Sequence, residues 1–209
     1  MASMEDKAAD QAAHRAEAAK QMSPVGRRLF KFIEFDPEEE LIAEIRKHPI
    51  GFIYIAIIGG LIAVLITLGT IVLGANLNNL DFASSDSSGS LGAILIGFGL
   101  FLSLVVLIVT VISIILYRLN VVYVTNQKTA EVAYISLFNR KITQLGMGQI
   151  EDVTDRKRGV FAYIFNYGTL IIETAGELEN ATFTMVPNPN IYAQKIIQAH
   201  EQSIRKFGN

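Results

Sequence analysis

Cysteine is absent from the 209 residues, which excludes a disulfide framework, thiolate metal sites and a cysteine nucleophile while leaving the redox compartment open. Charge is scarce as well. Asp, Glu, Lys and Arg make up 18% of the chain, and the deficit is local: no Asp, Glu, Lys, Arg or His occurs from Pro49 to Leu80, nor from Ser87 to Tyr117. A surplus of one sign is missing too. The formal net charge is −2 and no long basic run is present to follow a phosphate backbone, so nucleic acid is set aside as a partner. His14, His48 and His200 match no metal or catalytic-triad spacing, and Walker and dinucleotide fingerprints are absent. No catalytic residue, cofactor or metal is therefore expected, and the chain reads as a non-enzyme. The first residues lack the apolar core of a secretory signal peptide, so the N-terminal segment is expected to be retained.

What is abundant is apolar surface. Hydrophobic residues make up 51% of the chain and mean hydropathy is +0.36, values typical of chains with lipid-solvated segments. The uncharged run 50–73 reaches roughly 36 Å as a helix, enough to cross a hydrocarbon core of about 30 Å, and 91–117 is longer still. Both are expected to be transmembrane helices, because lipid leaves the backbone no other way to satisfy its hydrogen bonds. The stretch 74–90 between them is polar, carries no Lys or Arg and is expected to be an extracytoplasmic loop. Arg46, Lys47 and Arg118 flank the outer ends, so the positive-inside rule puts both termini in the cytoplasm of a multi-pass inner-membrane protein. Small residues recur four apart at Ala56/Gly60, Gly59/Ala63, Ala93/Gly97 and Gly99/Ser103. They suit either packing within the hairpin or self-association. No ionisable residue lies within the spans to mark an ion path, which argues against a transporter or pump.

Residues 1–35 are expected to be disordered or interfacial. Met1 to Met22 is Ala-rich without a wide apolar stripe, whereas GRRLFKFIEF alternates Arg27, Arg28 and Lys31 with Leu29, Phe30, Phe32, Ile33 and Phe35. That segment suits either an anionic inner leaflet or packing on the C-terminal domain. Asp36-Pro37-Glu38-Glu39 looks like a helix start with a capping box, so 36–49 is expected to be a juxtamembrane helix.

From Asn120 the pattern changes to short β-branched and aromatic runs separated by turns: NVVYVTN, TAEVAYIS, RKITQL, IEDVTDRK, GTLIIETA and ATFTMVP. Asn188-Pro189 then opens a helix with an apolar stripe of Ala193, Ile196, Ile197, His200, Ile204 and Phe207. The fold expected is α+β: a two-helix transmembrane hairpin, then a small antiparallel β-barrel or sandwich over 118–209 with a C-terminal capping helix.

The order of these elements over roughly residues 36–205 resembles the bacterial pleckstrin-homology-like membrane proteins. The resemblance is carried by Tyr123-Val124-Thr125-Asn126, Ile150-Glu151-Asp152-Val153, Tyr167-Gly168-Thr169 with Thr174-Ala175-Gly176, and Pro187-Asn188-Pro189. Two departures stand out: Gln127 precedes Lys128 where a basic residue is usual, and Gly146-Met147-Gly148 interrupts an extended stretch. The resemblance implies a membrane-tethered binding or scaffolding domain without catalytic residues. Read physically, Thr125-Asn126, Gly168 and Gly176 are turn residues, Asn126 tolerating left-handed geometry.

Glu151, Asp152 and Asp155 form a tight acidic group, but strand alternation splits it between two faces, which fits a solvated strand end better than a cation site. The candidate contact residues are Arg156, Lys157 and Arg158, followed by Phe161 and Tyr163, together with Arg27, Arg28 and Lys31. Cations beside an aromatic-rich turn suit anionic headgroups; the other reading puts the aromatics in the core and the cations in water. The expected partners are the bilayer and either a protein or a second copy of the chain. The alternative function is an accessory subunit whose helices pack with other membrane proteins.

Overall fold

The computed structural model describes residues 12–13, 15–36, 39–78, 88–175 and 180–207. The chain divides into two compact units, residues 49–117 and a domain made from 1–48 together with 118–209. The domain is thus discontinuous, with its first strand before the apolar helices and the rest after them.

Among the described residues seven strands form two antiparallel sheets. The first has the order β1 (Leu41–Arg46), β2 (Val121–Thr125), β3 (Lys128–Tyr134), β4 (Arg140–Gly146), and the second β5 (Ile150–Arg156), β6 (Tyr167–Thr174), β7 (Ala181–Pro187). Among the described residues the strands close no barrel; they make a sandwich-like pair. A 3-10 turn at Met147–Gln149 carries the chain from one sheet to the other, which accounts for the Gly146-Met147-Gly148 interruption.

All five residues of β2 are buried, because it is covered on both faces. Alternation sorts them: Val122 and Val124 face the main core, Val121 and Tyr123 the opposite side. The main core joins Ala43, Ile45, Leu145, Leu170, Ile172 and Phe183 from both sheets and Met147 of the 3-10 turn with Ala193, Ile196 and Ala199 of the C-terminal helix. Each fully buried aliphatic side chain there contributes about 1.5–3 kcal/mol. That helix spans Pro189–Phe207, as its Asn-Pro start implies. Its buried stripe runs through Ala193, Ile196 and Ala199, three apart on one face, whereas Ile197 and Ile204 are exposed. His200 is half-buried, its Nδ1 2.6 Å from the Met147 carbonyl oxygen, an arrangement in which the ring N–H donates.

Three expectations need correction. Residues 41–46 are not part of a juxtamembrane helix but form β1, with Arg46 opposite Val121. Asp36 and Glu39 do meet, the Glu39 N–H donating to the Asp36 carbonyl at 3.0 Å and the Asp36 N–H to Glu39 Oε2 at 3.1 Å, but residues 41–46 are not helical. Ala43 and Ile45 gain more by alternating into the core along the free edge of β2, and tertiary burial overrides the local start signal. Pro37 and Glu38 lie outside the described residues. Second, the described part of 1–35 is not disordered but packed on the domain. Residues 15–20 are helical, Pro24–Phe30 forms a helix (α1) with Ser23 as its N-cap, and Ala18, Met22, Leu29, Phe30, Ile33 and Phe35 bury against Val121, Tyr123, Ala130 and Val132. The apolar side chains of GRRLFKFIEF pack on the domain. Third, among the described residues the non-glycine positions with positive φ are Asn166, Met185 and Asn188; Asn126, which could tolerate that geometry, does not adopt it. Gly176 lies outside the described residues.

In the other unit, Pro49–Asn78 (α2) and Ser88–Arg118 (α3) are long and apolar enough to cross a membrane, and most of their large apolar side chains are exposed. Gly59, Ala63, Gly99 and Ser103 are buried, a Cβ on Gly59 would meet Thr110 Oγ1 at 2.1 Å, and Ser103 Oγ donates to the Ala63 carbonyl at 3.2 Å. These small residues pack the hairpin itself. The hydroxyls of Thr67, Thr70, Thr110 and Ser113 donate back to carbonyls one turn earlier, which satisfies them without water. Of the connecting stretch, 79–87 lies outside the described residues.

Candidate functional site

Strand direction gives the domain a distinct tether end. There β1 runs out through Lys47 and His48 to Pro49, and the chain returns through Arg118 to Asn120 and β2. The His48 N–H donates to the Met185 carbonyl at 2.6 Å, and its ring centroid lies 5.5 Å from that of Tyr167. Burial holds the His48 imidazole below its usual range, partly opposed by a hydrogen bond with the Phe165 backbone. The β5–β6 connection therefore sits at this end.

That connection carries a short helix, α4 (Val160–Ile164), entered through Gly159 at φ 91°, a conformation that favours glycine. Only Ala162 faces inward. Phe161 is 58% exposed, Tyr163 70% and Ile164 65%, with Val160 and Phe165 also exposed. The aromatics expected either at an interface or in the core are thus outside the core.

The three cations before α4 differ. Arg156 and Arg158 are exposed, whereas Lys157 Nζ donates to Asn166 Oδ1, and Asn166 Nδ2 in turn donates to Asn188 Oδ1. The Asn188 N–H also donates to the Asn166 carbonyl at 2.8 Å. Both asparagines are left-handed, at φ 52° and 45°, a region that their short polar side chains tolerate. Gly168 belongs to the same clamp, since a Cβ there would meet the Arg156 carbonyl at 2.7 Å. Lys157 therefore anchors the base of α4.

Arg27, Arg28 and Lys31 are not brought together with Arg156–Arg158. They ride with α1 on the outer face of the first sheet, while the second sheet packs on its inner face. Arg27 Nε donates to the Ala19 carbonyl at 3.1 Å. Lys31 Nζ lies 5.2 Å from the ring centroid of Phe32, over which the Arg140 guanidinium sits at 3.6 Å.

Sequence reasoning passed over the β3–β4 turn, where Ile135, Leu137 and Phe138 are exposed, Phe138 to 98%. The available signal was an apolar triplet inside a turn, where polar residues are the rule. It also passed over Glu39. This carboxylate is fully buried at the far end of the domain, accepting from Thr125 Oγ1 at 2.6 Å and paired with Lys128 Nζ at 3.1 Å. Thr125 Oγ1 also accepts from the Gln127 and Lys128 N–H groups, and Asn126 Oδ1 from the Glu40 N–H at 3.0 Å. The Val-Thr-Asn motif thus ties the incoming segment to the sheet, and Lys128 is displaced by one residue to a position where it meets Glu39. The described residues contain no group of three His, Asp or Glu side chains placed to hold a metal ion, and Glu151, Asp152 and Asp155 are exposed.

The fold and its surface define a tethered two-sheet domain with a helical cap, interrupted by an apolar hairpin. The family model for the bacterial PH domain matches residues 50–199, and the chain belongs to that family. The match begins at Ile50, after β1 has already supplied the edge of the first sheet. No curated protein and no solved structure matches the chain.

Proposed function

We propose that the protein is a non-enzymatic, membrane-anchored bacterial PH domain that presents its tether end to anionic lipid on the cytoplasmic face of the inner membrane. The observation that carries this reading is α4: exposed Phe161, Tyr163 and Ile164 beside exposed Arg156 and Arg158, next to His48, which directly precedes the first apolar helix. Apolar and aromatic tips enter the interface while each nearby cation adds about 1 kcal/mol of attraction to anionic headgroups. Orientation rests on the charge asymmetry around α2 and α3.

The chain has no tryptophan, so Phe161→Trp in the full protein, reconstituted in vesicles, gives a single indole. The expected result is blue-shifted emission quenched by brominated acyl chains, weakened by Arg156→Gln with Arg158→Gln and by salt. Water-like, unquenched emission in anionic vesicles rules the reading out. Orientation is tested with Ser85→Cys and Ser203→Cys in the cysteine-free chain: an impermeant thiol reagent should label intact cells at position 85 only.

The accessory-subunit reading has its own observation. Gly60 and Gly97 face open space, unlike Gly59 and Gly99. If Gly60→Leu and Gly97→Leu abolish co-purification of a membrane partner, that reading gains.

A further inference from the structure

The turn 135–139 joins two neighbouring strands of the first sheet, yet its side chains have the wrong chemistry for a turn in water. Ile135 is 63% exposed, Leu137 50% and Phe138 98%, so half or more of each side chain is left outside the sandwich. Folding does not explain it: the turn is already closed by backbone bonds, the Ile135 and Ser136 N–H groups both donating to the Asn139 carbonyl. Polar residues would close it equally well.

Its position is constrained. The Tyr134 N–H donates to Asn120 Oδ1 at 2.8 Å, so the base of the turn is fixed to a residue three positions past Tyr117, where the second uncharged stretch ends. Three residues span at most about 10 Å. The register agrees, since Arg46 lies opposite Val121, Val121 opposite Val132, and Tyr134 opposite Arg140. The turn therefore projects from the tether end. Charge agrees as well: no acidic residue occurs between Glu131 and Glu151, while Arg140 and Lys141 follow the apolar tip directly and Lys31 reaches the same corner through Phe32.

We propose that Ile135, Leu137 and Phe138 form a second lipid-inserting tip, with Arg140, Lys141 and Lys31 as its headgroup contacts, so that the domain rests on an anionic bilayer at two points, one from each sheet. The inference rests on the lipid reading of α4 and deepens it. A single point of contact leaves the domain free to pivot on its tethers. Two points on different sheets fix which face of the domain is turned to the cytoplasm.

The test uses the full chain reconstituted in vesicles of zwitterionic and anionic phospholipid, part of it brominated in the acyl chain, with Phe138→Trp and Phe161→Trp as separate single-indole variants. Because the Phe138 side chain packs against almost nothing, the substitution leaves the fold intact, which matching near-ultraviolet circular dichroism verifies. For position 138 the expected result is blue-shifted emission with strong quenching, reduced by Lys141→Gln. Water-like emission at 138 with quenching at 161 overturns the second tip and leaves the α4 reading standing. Water-like emission at both positions overturns both. A blue shift at 138 without bromine quenching also overturns the inference, because the tip is then covered by protein rather than lipid.

Discussion

The two ends of the first sheet are built from the same kinds of element and finished in opposite ways. At the far end the connections are polar and internally satisfied: Glu39 is buried between Thr125 and Lys128, and Asn126 exchanges hydrogen bonds with the backbone of Glu40. At the tether end, the β3–β4 turn, like α4 of the second sheet, leaves aromatic and aliphatic side chains outside, beside cations. A domain that finished both ends for water alone would treat them alike, because a buried charge is expensive unless paired and an exposed apolar turn contributes nothing to folding. The difference separates groups that hold the fold from groups left for something else.

The largest effect that sharpens this contrast is expected at Tyr123, which is fully buried under α1, lies 5.4 Å from Phe30 and donates from its hydroxyl to the Gly26 carbonyl at 2.6 Å. Tyr123→Ala should cost about 3–5 kcal/mol and release residues 15–35 to protease. Urea unfolding in detergent micelles measures the first, limited proteolysis the second. A loss below about 1 kcal/mol would mean that the N-terminal segment is not part of the domain.

At the far end, Lys128→Gln should cost about 3 kcal/mol, because it leaves the Glu39 carboxylate buried without its partner. Adding Glu39→Gln should recover much of that loss, since Thr125 Oγ1 can still donate to an amide oxygen. Strictly additive losses in the double-mutant cycle would break the account of a paired buried charge.

A smaller effect belongs to Glu131, which lines a cleft near the tether end with Lys47, Val122 and Phe183. Burial raises its carboxyl above the usual range, Lys47 and Lys141 opposing the shift, while burial lowers the Lys47 ammonium. Between the unfolded value and the raised folded value, Glu131 binds more protons in the folded chain than in the unfolded one. Its contribution to stability is therefore full below the unfolded value of about 4.3 and declines as pH rises through the raised value. Glu131→Gln should melt increasingly above the wild type as pH is raised from about 4 to 7. Melting curves that stay parallel over that range would contradict the shift.

The smallest expected effect is the most informative for the comparison. Phe138→Ser and Phe161→Ser should leave urea stability within about 0.5 kcal/mol of the wild type, because neither side chain packs in the core. A loss comparable to that at Tyr123 would erase the distinction between the two ends.

The apolar helices, the strands from Asn120 onward and the C-terminal helix were legible because each carries its own periodicity or length signal. The strand run NVVYVTN reads as β whichever face it shows, and Pro189 marks a helix start on its own. In the site, Arg156 to Tyr163 could be picked out as a cluster of types, but whether Phe161 faced inward or outward could not. Inside a five-residue helix no periodicity distinguishes the two.

By itself the sequence determined the two charge-free spans, the β-rich domain and its helical cap, since each follows from local composition and spacing. Only the tertiary structure decided that 41–46 is a strand, that 15–35 covers the sheet, and that Lys128 serves Glu39. Each of these depends on a partner distant in sequence: β2 for β1, Tyr123 for Phe30, Thr125 for Glu39. A capping signal or an amphipathic run records what a segment can do alone. The free edge of β2 and the uncovered outer face of its sheet existed only once the chain had folded, and burying apolar surface against them outweighed the local preference.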